Sequence, residues 1–212
     1  MSKNKFITII GNIASGKSTL TRLLGQRLKA KQIPADSLFR VNPFFPLALN
    51  DRSRWSLASD LWFFYERLKL ERKIPHQLKS HHVIVDSGLP MSFVYARSRL
   101  ISGYLTSNEW KLYKSIHDEL LPTARFSDLI INLNTPVETI LKRIKRRRRQ
   151  FELRHYTAKY LLGLESSLAM VVKKLIRHKV RLIDIDTTQI DFIHNDNDLQ
   201  QLVKKVLKWL SW

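Results

Sequence analysis

The stretch ITIIGNIASGKSTLTRLL, residues 7–24, decides the fold. Gly11, four spacer residues and then Gly16-Lys17-Ser18 fit the pattern G-x-x-x-x-G-K-[ST]. The flanks fit as well. Residues 6–10, FITII, are apolar and β-branched, which reads as a buried parallel strand. After Ser18, the residues Leu20, Leu23, Leu24 and Leu28 recur at helical spacing. A glycine loop between strand and helix lets backbone N–H groups converge on an anion, and the helix N-terminus adds partial positive charge. Gly11, Asn12, Ile13, Ala14, Ser15, Gly16, Lys17, Ser18 and Thr19 are therefore expected to cradle the phosphates of a nucleotide. In that arrangement Lys17 reaches the terminal phosphates and the Ser18 hydroxyl ligates Mg²⁺. The plain alternative is a Gly-Ser turn joining a strand to a helix.

Composition narrows the setting. A chain of 212 residues, 44% hydrophobic, suits one α/β domain spanning residues 1–212. The absence of cysteine excludes disulfides and thiolate metal sites, and points to the cytoplasm. No apolar run reaches the roughly 20 residues of a membrane span, and no signal peptide precedes the first strand. With 37 Lys+Arg against 18 Asp+Glu the net charge is +19, a field that attracts nucleotides or nucleic acid. The basic residues are spread over most helices. A solvated basic surface is thus the simpler reading, and a nucleic-acid surface the weaker one.

Further along, the pattern predicts strands within 33–42, at 81–87, at 128–136 and at 180–188, alternating with helices. The helices are expected over 17–31, from about Ser53, over 92–121 with a break at Gly103 and a cap at Ser107, over 137–149, over 156–176, and from a cap at Asp196 or Asn197 onward. Strands alternating with helices imply a parallel sheet. The His81-His82 pair lacks the spacing of a metal site, and Trp209 and Trp212 read as packing residues.

With these elements placed, four further stretches carry a resemblance to the deoxynucleoside kinase family. They are NPFFPLALNDRSRWSLASDLWFF (42–64), SGYLTSNEWKLYKSIHDEL (102–120), LKRIKRRRRQFE (141–152) and DIDTTQIDFIHNDNDLQQLVKKVL (184–207). The resemblance implies a P-loop NTPase-like fold: a five-stranded parallel sheet with helices on both faces and an arginine-rich lid at about 145–156. It implies ATP as donor, the 5′-hydroxyl of a deoxynucleoside as acceptor, and a homodimer. Arg147 and Arg149 match the lid arginines that close over the phosphates, a role suited to guanidinium because the transition state spreads negative charge over the equatorial oxygens. A solvated basic helix face is the alternative for that run.

The acceptor side matches the family less closely. The family's acidic base falls on Ser37 without gaps, and on Asp36 with one residue inserted; Asp36 is the only carboxylate between Lys17 and Asn42. The family's acid-Arg-Ser triplet appears here as Asp86-Ser87-Gly88. Asp86 keeps the acid, able to hold Mg²⁺ through water or to accept the hydroxyl proton, while Ser87 stands in the arginine's place. Arg97 and Arg99 on the next helix are the nearest replacements in sequence. Asp60 occupies the position of the glutamine that reads the base. An ionised aspartate only accepts, which suits the N1–H and N2–H₂ donors of guanine; the alternative is an ion pair with a nearby arginine. The family's sugar-contacting tyrosine falls on Leu49, whereas Glu152, which also reaches the sugar, is kept. Trp55, Trp62, Phe63 and Phe64 lie on the helix that walls the acceptor pocket, where an aromatic such as Trp55 can stack on a base.

Two rivals remain at this point. One is a nucleoside monophosphate kinase, or another small-molecule kinase, on the same scaffold. The other is a catalytically degenerate ATP-binding or nucleic-acid-binding protein.

Overall fold

The computed structural model describes residues 4–210, with the side chain of Asp36 outside that description. The elements follow in chain order: β1 (Phe6–Gly11), α1 (Lys17–Arg27), β2 (Lys31–Ile33), a 3-10 turn (Ala35–Arg40), α2 (Phe45–Asn50), α3 (Arg52–Arg72) and α4 (Ile74–Gln77). Then come β3 (Val83–Asp86), α5 (Leu89–Ile101), α6 (Ser107–Leu120), a short 3-10 turn, β4 (Leu129–Asn134), α7 (Val137–Arg147), α8 (Gln150–His155), α9 (Ala158–Arg177), β5 (Leu182–Asp186) and α10 (Asp196–Leu210).

The five strands form one parallel sheet in the order β2-β3-β1-β4-β5. β1 is central and buried along its whole length, as a β-branched run with no polar alternation requires. Successive side chains then face opposite layers. Ile7 and Ile9 pack with Leu20 and Leu24 of α1 and with Leu199, Leu202 and Val206 of α10. On the other face, Ile10 joins Met91 and Val94 of α5, Ile140 and Ile144 of α7, and Leu161, Leu164 and Leu168 of α9. The chain leaves β1 toward β2 and β3 on one side and toward β4 and β5 on the other. The strand ends beside β1 therefore form the switch point where open α/β sheets bind ligands.

Several boundaries differ from the sequence expectation, each for a local reason. β2 is Lys31–Ile33, earlier than expected, and α1 stops at Arg27 to make room for it. Only Ile33 of this edge strand is buried, so β2 has no apolar run to announce it. α3 is capped by Asp51, whose carboxylate accepts from Arg54 N at 3.0 Å. α6 is capped by Thr106 rather than Ser107, in a reciprocal capping box with Glu109. The basic helix ends at Arg147, and Arg148 takes a left-handed conformation (φ 55) before α8 begins. At the last helix, Asn195 accepts from Asn197 N at 3.0 Å, a capping contact one residue before the expected one. Trp212 lies outside the described residues.

Candidate active site

The glycine loop after β1 is built as its residue types dictate. Gly16 sits at φ 106, a conformation that side chains disfavour, and a Cβ there would lie 3.2 Å from the Phe192 ring. Asn12 ties the loop down: its amide donates to Leu161 O of α9 at 3.0 Å, and its Oδ1 accepts from Ile13 N at 2.8 Å. Arg143 of α7 donates to Ser15 O at 3.0 Å and to Ala14 O at 3.3 Å. Lys17 opens α1 and is buried, its Nζ donating to Asn12 O at 2.9 Å.

Two clefts meet at this loop. The first, the donor cleft of the proposal below, about 240 Å³, is lined by Gly16, Lys17, Ser18, Thr19, Arg143, Arg146, Arg147 and Ile193. The second, about 70 Å³, is an aromatic chamber of Phe39, Phe45, Phe63, Phe151, Tyr95, Tyr156 and Tyr160, with Lys17, Asp60, Arg67, Arg99, Arg147, Arg149 and Glu152 as its charged members. Ala14, Lys17 and Arg147 line both.

The chamber's charges are mostly paired. Arg99 Nε lies 2.8 Å from Asp60 Oδ2 and 3.0 Å from Oδ1. Burial pushes the Asp60 carboxyl up, and Arg99 only partly pulls it back. Burial alone would lower Arg99; the charge of Asp60, helped by Tyr160, more than offsets that, so the guanidinium stays charged. Glu152, buried, accepts from Arg147 Nη2 at 2.5 Å and Nε at 2.9 Å, and from Arg149 Nη1 at 3.3 Å. Among the described residues Arg67 hydrogen-bonds to neutral groups: Nε donates to Ser87 O at 2.8 Å and Nη1 to Ser92 Oγ at 3.1 Å.

Behind the chamber, α3 grips the end of β3. Arg67 holds Ser87 O, and Glu71, one turn on, accepts from Leu89 N at 2.7 Å. Gly88 permits this grip, since a Cβ there would stand 2.7 Å from Glu71 Oε1. Burial drives the Glu71 carboxyl up to about 8, against the Leu89 N–H and the Arg67 charge, which both lower it.

The expected site residues thus divide into two groups. Ile13, Ala14, Gly16, Lys17, Ser18 and Thr19 of the loop, with Asp60, Arg147, Arg149 and Glu152, converge on the two clefts, whereas Gly11, Asn12 and Ser15 line neither. Asp86 ends β3 in register with Ile9, but its carboxylate is buried and lines neither cleft. Asp36 lies in the 3-10 turn after β2, which also supplies Phe39 to the chamber. Trp55 stacks on Phe44 at 6.1 Å, away from the chamber. Arg67, Glu71 and Arg143 were not singled out by the sequence. A signal for Arg67 was present: it follows Asp60 by two helical turns, on the same face of α3.

The profile described as Deoxynucleoside kinase matches residues 7–211. The chain belongs to the deoxynucleoside kinase family. It is similar to the deoxyguanosine kinase of Bacillus subtilis (strain 168), 29% identical over 210 residues, covering 97% of this chain and 98% of the relative. It is also similar to the deoxyadenosine/deoxycytidine kinase of the same organism, 31% identical over 159 residues, covering 71% and 69%. Among solved structures, the deoxyadenosine kinase from M. mycoides with bound dCTP shares the fold, with a TM-score of 0.79 at 19% identity over 96% of this chain and 99% of that one. The kinase is accordingly a phosphotransferase that uses a nucleotide phosphate donor and a hydroxyl acceptor. No helix among the described residues is long and apolar enough to cross a membrane.

Proposed function

We propose that the kinase transfers the γ-phosphoryl group of ATP to the 5′-hydroxyl of a deoxynucleoside, with ATP in the donor cleft and the nucleoside in the aromatic chamber. The observation that carries this is the sharing of Lys17 and Arg147 by the two clefts. A phosphoryl group passing from one to the other must cross between those cations. In the step, the acceptor oxygen bonds to phosphorus as the bond to the β–γ bridging oxygen breaks. ADP leaves, and the hydroxyl proton goes to a carboxylate, either Asp36 in the turn after β2 or Asp86 at the end of β3. Lys17 and the lid arginines balance charge on the equatorial oxygens.

Ser18, the second residue of α1, lines the donor cleft, and its hydroxyl, with the Asp86 carboxylate reaching through water, would be a hard-oxygen donor set that fits Mg²⁺. The ion would neutralise charge on the transferring phosphates.

The chamber is far smaller than the roughly 300 Å³ that ligand pockets begin at. We therefore assign the 145–156 segment as a lid whose Arg147–Glu152–Arg149 cluster swings away to admit the nucleoside. For the base, Asp60 beside Arg99 offers acceptor oxygens to the donor edge of guanine, and the similarity to deoxyguanosine kinases supports that choice.

Turnover of ATP with each deoxynucleoside and each monophosphate, with Lys17→Ala as the blank, tests the reading. Deoxyguanosine is the expected best acceptor. Preference for deoxyadenosine overturns the base assignment, and turnover with monophosphates alone overturns the acceptor class.

A further inference from the structure

A cavity of about 420 Å³ lies between α5, α6, α9 and the start of β4. It shares no lining residue with the aromatic chamber or the donor cleft. Phe93, Leu121, Phe126, Ile130, Val171 and Leu175 make its walls apolar. Its volume exceeds the roughly 300 Å³ at which ligand pockets begin.

Two buried polar side chains line it as well. Glu71 is 4% exposed. One of its oxygens accepts from Leu89 N at 2.7 Å, and the other has no hydrogen-bond partner among the described residues. His117 is 6% exposed. Its Nδ1 lies 3.0 Å from Asp118 Oδ1, and its Nε2 has no partner among the described residues. Burial favours the neutral form of both: it pushes the Glu71 carboxyl up to about 8 and lowers the His117 imidazole. The acid proton of the one and the ring lone pair of the other are thus left for a ligand.

The rim is positive. Arg125, Lys174 and His178 stand on it. Arg125 is taken by Asp128 at 2.6 Å. Lys174 is exposed and has no ion pair among the described residues, and its charge reaches His117. Cations suit the C-terminal end of a helix, but that accounts for their place on α9 and not for the apolar cavity beside them. Glu71 is the only acid lining the cavity, and it is neutral. A cationic ligand is repelled by such a rim, and an uncharged one gains nothing from it. An apolar body with a single negative charge satisfies both wall and rim.

We propose that this cavity is a binding site for an apolar monocarboxylate, an aromatic or aliphatic acid whose body lies against Phe93, Ile130 and Val171 and whose carboxylate meets Lys174. The site stands apart from the phosphoryl-transfer reading, since neither cleft takes part in it.

Calorimetry on the full chain with 4-phenylbutyrate tests this, with 4-phenyl-1-butanol as the same body without the charge. The acid is expected to bind with a dissociation constant at or below about 1 mM, about fivefold tighter than the alcohol. Lys174→Glu, a change to an exposed side chain, is expected to remove that difference. Ala124→Trp, which fills the cavity from the segment before β4, is expected to weaken both probes by at least about tenfold. Unchanged binding of the acid to Ala124→Trp puts the probe elsewhere and overturns the proposal. Equal affinity for acid and alcohol in the unaltered chain overturns it too, as does no binding of the acid at millimolar concentration. If Ala124→Trp does not fold, Lys174→Glu decides: loss of the acid's advantage supports the site, and its persistence overturns it. Light scattering covers the remaining occupant. A dimer of the unaltered chain that Ala124→Trp splits shows that a second copy fills the cavity, and overturns the small-molecule site.

Discussion

Glu71 is an acid that the fold keeps protonated. Its carboxyl is raised to about 8 because burial penalises the charged form, so the folded state holds the proton more tightly than the unfolded chain does. Its stabilising contribution is complete below about pH 4.5 and is lost as pH rises through about 8, each pH unit between the two removing up to roughly 1.4 kcal/mol. Thermal unfolding between about pH 5.5 and 8.5 is expected to show stability falling as pH rises, and Glu71→Gln is expected to flatten that slope. The amide still accepts from Leu89 N and does not titrate; an unchanged slope in the variant would place the titration elsewhere. Lys17 answers to a different measurement. Lys17→Met is expected to cut kcat by at least about 10²-fold with cooperative unfolding preserved, since the residue supplies charge at the junction of the clefts rather than core packing. At this scale the sequence spoke unevenly. The strand–glycine loop–helix geometry was legible because it depends on local spacing. Arg67 and Glu71 were not, because their partners Ser87 and Leu89 belong to a distant strand end that only the tertiary fold brings near.

The helices matter through what they bring together. α3 carries Asp60, and α5 carries Arg99, so their buried pair welds two walls of the chamber. Removing one partner leaves a charge without compensation, and Arg99→Met is expected to cost about 3–5 kcal/mol in a urea titration. The double variant Asp60→Leu, Arg99→Met is expected to recover much of that loss; no recovery would mean that Arg99 stabilises by packing on Tyr156 and Tyr160 rather than by charge. The ion pair was one of two readings of Asp60 open from sequence, and geometry realises it. The strands were legible wherever they are apolar runs, as in β1, β3 and β4. β2 was misplaced because an edge strand with only Ile33 buried leaves too weak a pattern. The end of α7 was overrun because five basic residues in a row continue a helical pattern that Arg148 breaks by its backbone alone.

Over the whole molecule, the charge of +19 sets a field rather than a contact. Such a field is screened over about 8 Å at physiological ionic strength. The KM for ATP is expected to rise several-fold between about 0.05 and 0.5 M salt with little change in kcat. A flat KM would show that only the short-range cations of the loop and α7 govern donor binding. Light scattering is expected to give a homodimer, as the resemblance implied. Leu162 on α9 and Ile101 at the end of α5, helices packed against each other, remain exposed at 53% and 51% and are available to such a contact.

The Phe192 ring lies against Gly16, and its segment joins β5 to α10, whose Leu199, Leu202 and Val206 pack under β1 and α1. The glycine loop lies in the first strand-to-helix turn, yet the residues that brace it follow the last strand, β5. Nucleotide capture is therefore expected to require that closing segment. A fragment ending at about residue 180 carries the entire loop motif and should pass unretained over immobilised ATP. Retention of that fragment would show that the loop shapes itself without the closing segment.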